Sequence, residues 1–181
     1  MCGIVGIFRS QTPVDRDRLI AACRAIEHRG PDASEIFADS NVGMGHQRLK
    51  IIDLSDSSNQ PMTDCDDRAV LVFNGEIYNY RELRDQLVQL GHVFYTASDT
   101  EVLLHMYLQY GKGCLRHLRG MFAFAIWDKR SRSLFLARDR MGIKPLYYYS
   151  KSPGMFCFAS EIKALLALHG ELFRDTSAVS R

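Results

Sequence analysis

Apolar residues along this chain fall into short blocks whose spacing alternates between the period of a strand and that of a helix. Ile4 to Phe8 is rich in β-branched residues and bounded by glycine, which predicts a central strand. Leu19, Ile20, Cys23 and Ile26 then share one helical face, so a helix is expected over Asp15–Ile26, entered through Pro13 and Asp15. His28-Arg29-Gly30-Pro31-Asp32 ends it, because glycine and proline together enforce a loop. Strands follow around Glu35–Ala38 and Val42–Gln47, the second passing into Arg48-Leu49-Lys50-Ile51-Ile52-Asp53. The composition from Leu54 to Asp67 turns to serine, asparagine, aspartate and proline, which is surface loop. Ala69–Phe73 is fully apolar and reads as a buried strand delivering Asn74-Gly75-Glu76. Leu83, Leu87 and Leu90 fall on one face of the segment beyond, and Gly91 stops it. Asn74-Gly75 is therefore expected to be a strand-to-helix turn rather than a hairpin.

Ser98-Asp99-Thr100-Glu101 has the capping-box spacing before a helix with Val102, Leu103, Met106 and Tyr110 on its apolar side, ending at Gly111. Large and small residues alternate from Met121 to Trp127, the pattern of a packed strand. Asp128–Arg132 supplies a charged turn and Ser133–Arg138 the returning strand. Leu146–Tyr149 and Met155–Ala159 form another hairpin around Ser152-Pro153-Gly154. Ser160 is placed to cap a last helix through Leu168, and Gly170 onward reads as a tail. Strands and helices gathered into separate runs with hairpin connections predict an α+β fold.

With 181 residues the chain reads as a single domain over 1–181, long enough to bury a real core. Its 46% hydrophobic and 24% charged residues are ordinary for a soluble protein, and no apolar run has the length of a bilayer span. The formal charge of +2 comes from scattered basic residues, so neither a nucleic acid nor a membrane surface is an expected partner. The five cysteines, Cys2, Cys23, Cys65, Cys114 and Cys157, are odd in number and form no metal-ligand spacing, so no metal is expected. Reduced thiols in the cytoplasm are the simplest reading, with Cys23, Cys114 and Cys157 as small buried hydrophobes.

Cys2 differs because it directly follows the initiator. Removal of Met1 would put a thiol and a free α-amine on one Cα, so that nucleophile and base come preassembled. An α-amine titrating near ~7.7 to 8.0 can take the proton of a thiol titrating near ~8.5 without a large environmental shift. Arg48, at the end of an alternating segment, is either a guanidinium fork presented into a cleft or a solvated edge charge.

Cys2-Gly3-Ile4-Val5-Gly6-Ile7, His28-Arg29-Gly30-Pro31-Asp32, His46-Gln47-Arg48-Leu49, Asn74-Gly75-Glu76-Ile77-Tyr78-Asn79 and Ser98-Asp99-Thr100-Glu101 occur together in that order. In this the chain resembles the class II glutamine amidotransferase domain, an N-terminal nucleophile hydrolase. Gly120-Met121-Phe122-Ala123-Phe124-Ala125, Arg138-Asp139 and Gly142-Ile143-Lys144-Pro145-Leu146-Tyr147 look most like the glutaminase half of asparagine synthetases, over about residues 2–168. The resemblance implies a four-layer αββα sandwich of two antiparallel sheets. It implies catalysis by Cys2 on the side-chain amide of glutamine, with Asn74 and Gly75 as the oxyanion hole. Arg48 would hold the substrate carboxylate, and Glu76, Asp99 and the Ile52 carbonyl its ammonium, with Leu49 and Ile51 completing the glutamine site. No cofactor is implied for this domain. ATP and magnesium belong to a synthetase (ATP-pyrophosphatase) domain or subunit, the implied partner, and homodimerisation is left open. Ser58-Asn59 stands where Gly-His often precedes Gln-Pro in this group, and Lys50 where a small residue is usual. A catalytically silent interaction module with the same fold is the rival reading, and a retained Met1 would favour it.

Overall fold

The structure, a computed structural model, describes residues 1–151 and 154–169. The tip of the hairpin expected at Ser152-Pro153 and the tail expected from Gly170 lie outside the described residues.

Nine strands form two antiparallel sheets among the described residues. The first holds β1 (Gly3–Arg9), β2 (Ala33–Ala38), β3 (Val42–Arg48), β8 (Tyr147–Lys151) and β9 (Met155–Ala159), in the order β2-β3-β1-β9-β8. The second holds β4 (Met62–Thr63), β5 (Ala69–Ile77), β6 (Gly120–Asp128) and β7 (Ser133–Arg138), in chain order. Helices α1 (Arg16–Ala25) and α4 (Ile162–His169) cover the outer face of the first sheet; α2 (Tyr80–Gln89) and α3 (Asp99–Tyr110) cover that of the second.

Alternation along each strand sorts the core into three layers. Val5 and Ile7 meet Leu19, Cys23 and Leu165 under the first pair of helices. Leu71, Phe73 and Ile77 meet Leu87, Leu103 and Met106 under the second. Between the sheets, Ile4, Met44 and Phe158 meet Val70, Val72, Ala123 and Trp127. The helix, sheet, sheet, helix stack expected from the resemblance is therefore present. Cys23, Cys114 and Cys157 are buried, Cys65 is exposed, and all five cysteines are free. Among the described residues no helix is long and apolar enough to cross a membrane.

Three local expectations change. Asn74 and Gly75 are not a turn: β5 runs through them to Ile77, paired with β6 from Ala69↔Asp128 to Ile77↔Gly120. The glycine answers to close packing, since a Cβ on Gly75 would stand 2.4 Å from the Met121 carbonyl oxygen and 2.8 Å from the Phe122 Cα. Ser160 does not cap the last helix; its Oγ accepts the Ile4 N–H at 2.9 Å, tying β9 to β1. Leu90, expected on an apolar face, is the exposed C-cap of α2, one residue before Gly91 at φ +93°.

Candidate active site

The period of the strands decides which side chains can meet. In β1, Ile4 faces the inter-sheet layer, so Cys2, two residues earlier, faces it too. In β3, Val42 and Met44 face the same layer, which sends His46 and Arg48 there as well. Ile4 pairs with His46, so the register carries Cys2 to the neighbourhood of Arg48. From the opposite sheet Val70 and Val72 point into this layer, and Asn74 and Glu76 follow by alternation. The nucleophile candidate, the arginine and the amide thus converge at one end of the sandwich.

A cleft opens there. Of the residues expected at the site, Cys2, Arg48, Leu49, Ile51, Ile52, Gly75, Glu76 and Asp99 line it. Asn74 stands behind the wall, 1% exposed, flanked by the lining residues Phe73 and Gly75. Among the described residues its Nδ2 is buried with no hydrogen-bond partner. A neutral amide donor left unsatisfied in the interior costs about 1–3 kcal/mol, which marks a position kept for something other than stability.

The Cys2 sulfur lies 3.3 Å from the Leu49 nitrogen, whose N–H it accepts, and 3.5 Å from the Leu49 carbonyl oxygen. Burial pushes the thiol pKa up; the Leu49 contact, the chain's N-terminal ammonium, Arg48 and Lys144 pull it back. Arg29 holds the Cys2 backbone, donating from Nε to the Cys2 carbonyl at 2.9 Å and from Nη1 to Glu161 at 3.0 Å.

Arg48 is not a solvated edge charge. It is 6% exposed and donates to the Ser55 carbonyl at 2.7 Å, to Asn59 Oδ1 at 2.5 Å and to the Asp53 carbonyl. These three bonds leave two of its five N–H donors for a ligand carboxylate. The loop it gathers is also stapled across the cleft, for Asp53 accepts the Ala97 N–H at 2.9 Å.

Asp99 opens α3 and accepts the Ile77 N–H at 2.9 Å. Burial raises its carboxyl to about 6, with Glu76 adding to the rise. Two carboxylates at one wall of a desolvated cleft are a receptor for a cation. The capping box is only half formed: Ser98 Oγ accepts the Glu101 N–H at 3.2 Å, while Glu101 turns to the Tyr95 and Thr96 N–H groups.

The Gly75 N–H follows from the same strand logic. Strand β4 has two residues and pairs only with Leu71 and Val70, so β5 beyond them has a free edge. On that edge the Phe73 N–H is taken by Gln60 Oε1 at 2.6 Å and the Ile77 N–H by Asp99. Gly75 lies midway and presents its N–H to the same side, into the cleft. Among the described residues no side chain takes it.

Sequence reasoning missed Gln60, Thr100 and Ser58, which also line the cleft, and His46, which bonds the Phe73 carbonyl through Nε2 at 3.0 Å. Burial holds His46 down to about 3, so it is neutral and donates from Nε2. The only signals were the position of Gln60 before Pro61 and the adjacency of His46 to Arg48.

Comparison with known proteins gives one consistent result. A family model described as a glutamine amidotransferase domain matches residues 1–180. Asparagine synthetase [glutamine-hydrolyzing] 3 of Bacillus subtilis is 43% identical over 171 residues, covering 92% of this chain and 28% of the relative. Asparagine synthetase [glutamine-hydrolyzing] 1 of the same organism is 45% identical over 186 residues, covering 100% of this chain and 29% of the relative. The chain thus spans under a third of the length of these curated relatives. Among solved structures, glutamine phosphoribosylpyrophosphate amidotransferase from B. subtilis superposes with a TM-score of 0.78 at 23% identity, over 92% of this chain and 43% of that one. That likeness shows the fold.

Proposed function

This chain belongs to the glutamine amidotransferase domain family, and on that premise we propose that residues 1–181 act as one domain hydrolysing glutamine to glutamate and ammonia. The observation that carries the reading is the buried Asn74 Nδ2, without a partner among the described residues, beside the open Gly75 edge on the inter-sheet layer that Cys2 faces.

Removal of Met1 frees the α-amine of Cys2. Glutamine lies along the cleft with its carboxylate on the spare donors of Arg48 and its ammonium between Asp99, Glu76 and the Ile52 carbonyl, while Leu49 and Ile51 flank its stem. The α-amine takes the thiol proton and the sulfur bonds to the amide carbon. The oxyanion formed is met by the Gly75 N–H and by Asn74, whose Nδ2 has no partner among the described residues to give up. The intermediate collapses, the C–N bond breaks, and nitrogen leaves as ammonia with the proton returned by the α-ammonium. Water, deprotonated by the α-amine, cleaves the thioester to give glutamate and restore the thiol.

The names of the relatives support a further step, in which ammonia passes to an acceptor activated in a synthetase portion and asparagine is the product. ATP and magnesium would act there, with no cofactor needed at Cys2. An assay of glutamate, ammonia and asparagine with and without ATP, magnesium and aspartate tests this. Equal amounts of glutamate and ammonia, indifferent to the additions and without asparagine, are expected. No glutamate from Met1-processed protein would favour the silent module.

A further inference from the structure

The sequence offered no role for Ser58-Asn59-Gln60-Pro61, the stretch whose first two residues depart from the group. In the structure it bonds Arg48 and the residues next to Asn74 and Asp99. Asn59 Oδ1 accepts from Arg48 at 2.5 Å, Gln60 Oε1 accepts the Phe73 N–H at 2.6 Å, and Gln60 Nε2 donates to Thr100 Oγ1 at 3.2 Å. Phe73 precedes the oxyanion pair Asn74-Gly75, and Thr100 follows Asp99. Gln60 is 6% exposed, so these bonds are made away from bulk solvent.

We infer that Gln60 is a positioning residue for the glutaminase reaction, setting the oxyanion edge of β5 against the ammonium-binding start of α3. The inference rests on the glutaminase reading above. The physical need comes from the short β4: β6 holds one edge of β5 at Phe73, but among the described residues no strand reaches the other edge there, and the Gln60 side chain takes that place. The amide serves both ends without a charge, accepting the Phe73 N–H through Oε1 and donating to the Thr100 hydroxyl through Nε2. A carboxylate can take both contacts only by burying a charge beside Asp99, and a thioether makes neither. The substrate spans the same gap, reacting at Gly75 and bound at Asp99. An error in this spacing therefore misplaces the oxyanion donors relative to the amide carbon, which acts on kcat more than on KM.

The test compares Met1-processed wild type, Gln60→Met, Gln60→Glu and Thr100→Val in glutamine turnover and in amide hydrogen exchange of residues 73–77. Gln60→Met is expected to lower kcat by ~10- to 100-fold, with a much smaller change in KM. Gln60→Glu is expected to lose less, and to recover as pH falls, because protonation removes the buried charge while the carboxyl keeps both contacts. Exchange at residues 73–77 should accelerate in Gln60→Met. A merely structural glutamine would lower the melting temperature and leave kcat per folded site unchanged, which would overturn the inference. If Gln60→Met does not fold, Thr100→Val decides by severing only the far end: reduced kcat supports the inference and unchanged kcat overturns it. A wild type without turnover overturns the glutaminase reading and the catalytic part of this inference with it; unchanged exchange in Gln60→Met overturns the inference by itself, whatever the turnover.

Discussion

The sulfur of Cys2 accepts the N–H of Leu49 at 3.3 Å, so the nucleophile is held by the residue next to the arginine that would bind the substrate. Both sit at strand ends whose register the inter-sheet core fixes. Replacing Cys2 by alanine is therefore expected to abolish glutamine hydrolysis while leaving the melting temperature nearly unchanged, since the side chain is only half-buried. Cys23, on the buried face of α1, should behave in the opposite way. Cys23→Ala is expected to cost about 1–2 kcal/mol through the space it leaves and to spare turnover, as steady-state kinetics and thermal melts on both variants would show.

Asn74→Ala separates catalysis from stability. Loss of an oxyanion donor typically lowers kcat by ~10² to 10³. Because the Nδ2 it removes has no partner among the described residues, no hydrogen bond within the fold is lost and stability should hold or rise. Arg48→Ala should instead raise KM, and it should also loosen the loop gathered by the Asp53 and Ser55 carbonyls and Asn59. Lysine should not rescue it, since one ammonium cannot reproduce the fork. Effects confined to KM in Asn74→Ala would remove it from the oxyanion hole.

Asp99 gives the pH dependence. Its carboxyl is raised by burial to about 6 in the fold against an unperturbed 3.8, so the fold prefers it protonated. Its contribution to stability is full below pH 3.8 and is lost as pH rises through about 6. Binding of the substrate ammonium requires the ionised form, so kcat/KM should fall as pH drops below about 6. At pH 7.5, Asp99→Asn is expected to raise the melting temperature, by the equivalent of roughly 1–3 kcal/mol, while weakening glutamine binding. Melting curves and kinetics across pH 4.5 to ~8 on both proteins would read the two effects together; a lower melting temperature in Asp99→Asn would contradict the account.

The strand periods in the sequence were enough to put Cys2 before a central strand, Arg48 at a strand end and a buried strand before Asn74, because alternation is a local property; they left open whether Arg48 entered a cleft or met solvent. The turn assigned to Asn74-Gly75 shows where local reasoning stops. An Asn-Gly pair signals a turn when nothing crosses it, but here β6 passes within 2.4 Å of where a Cβ would stand, and only a glycine strand allows that approach. Ser160 reads as a cap until the Ile4 N–H, 156 positions away, is known to need an acceptor. Gln60 was invisible for the same reason: its partners Phe73 and Thr100 lie in other elements, and no spacing encodes their meeting.

Gly75→Ala follows from that correction. A methyl group there would press on the Met121 carbonyl and the Phe122 backbone, so the variant is expected to lose about 1–3 kcal/mol or more. Turnover should fall as well, because β5 must shift with its open N–H. Urea unfolding and activity on the same sample would check both, and an unperturbed, fully active variant would restore the turn.

The most direct measurement of the central claim is the covalent state of Cys2. Protein whose Met1 is shown by intact mass to be absent would be mixed with glutamine, quenched in acid within the first turnovers, and mapped by peptide mass. One γ-glutamyl group per chain is expected, carried by the N-terminal Cys2 peptide, absent from Cys2→Ala and from protein that retains Met1. Glutamate release by processed protein without that adduct forming at Cys2, or with equal turnover in Cys2→Ala, would contradict it.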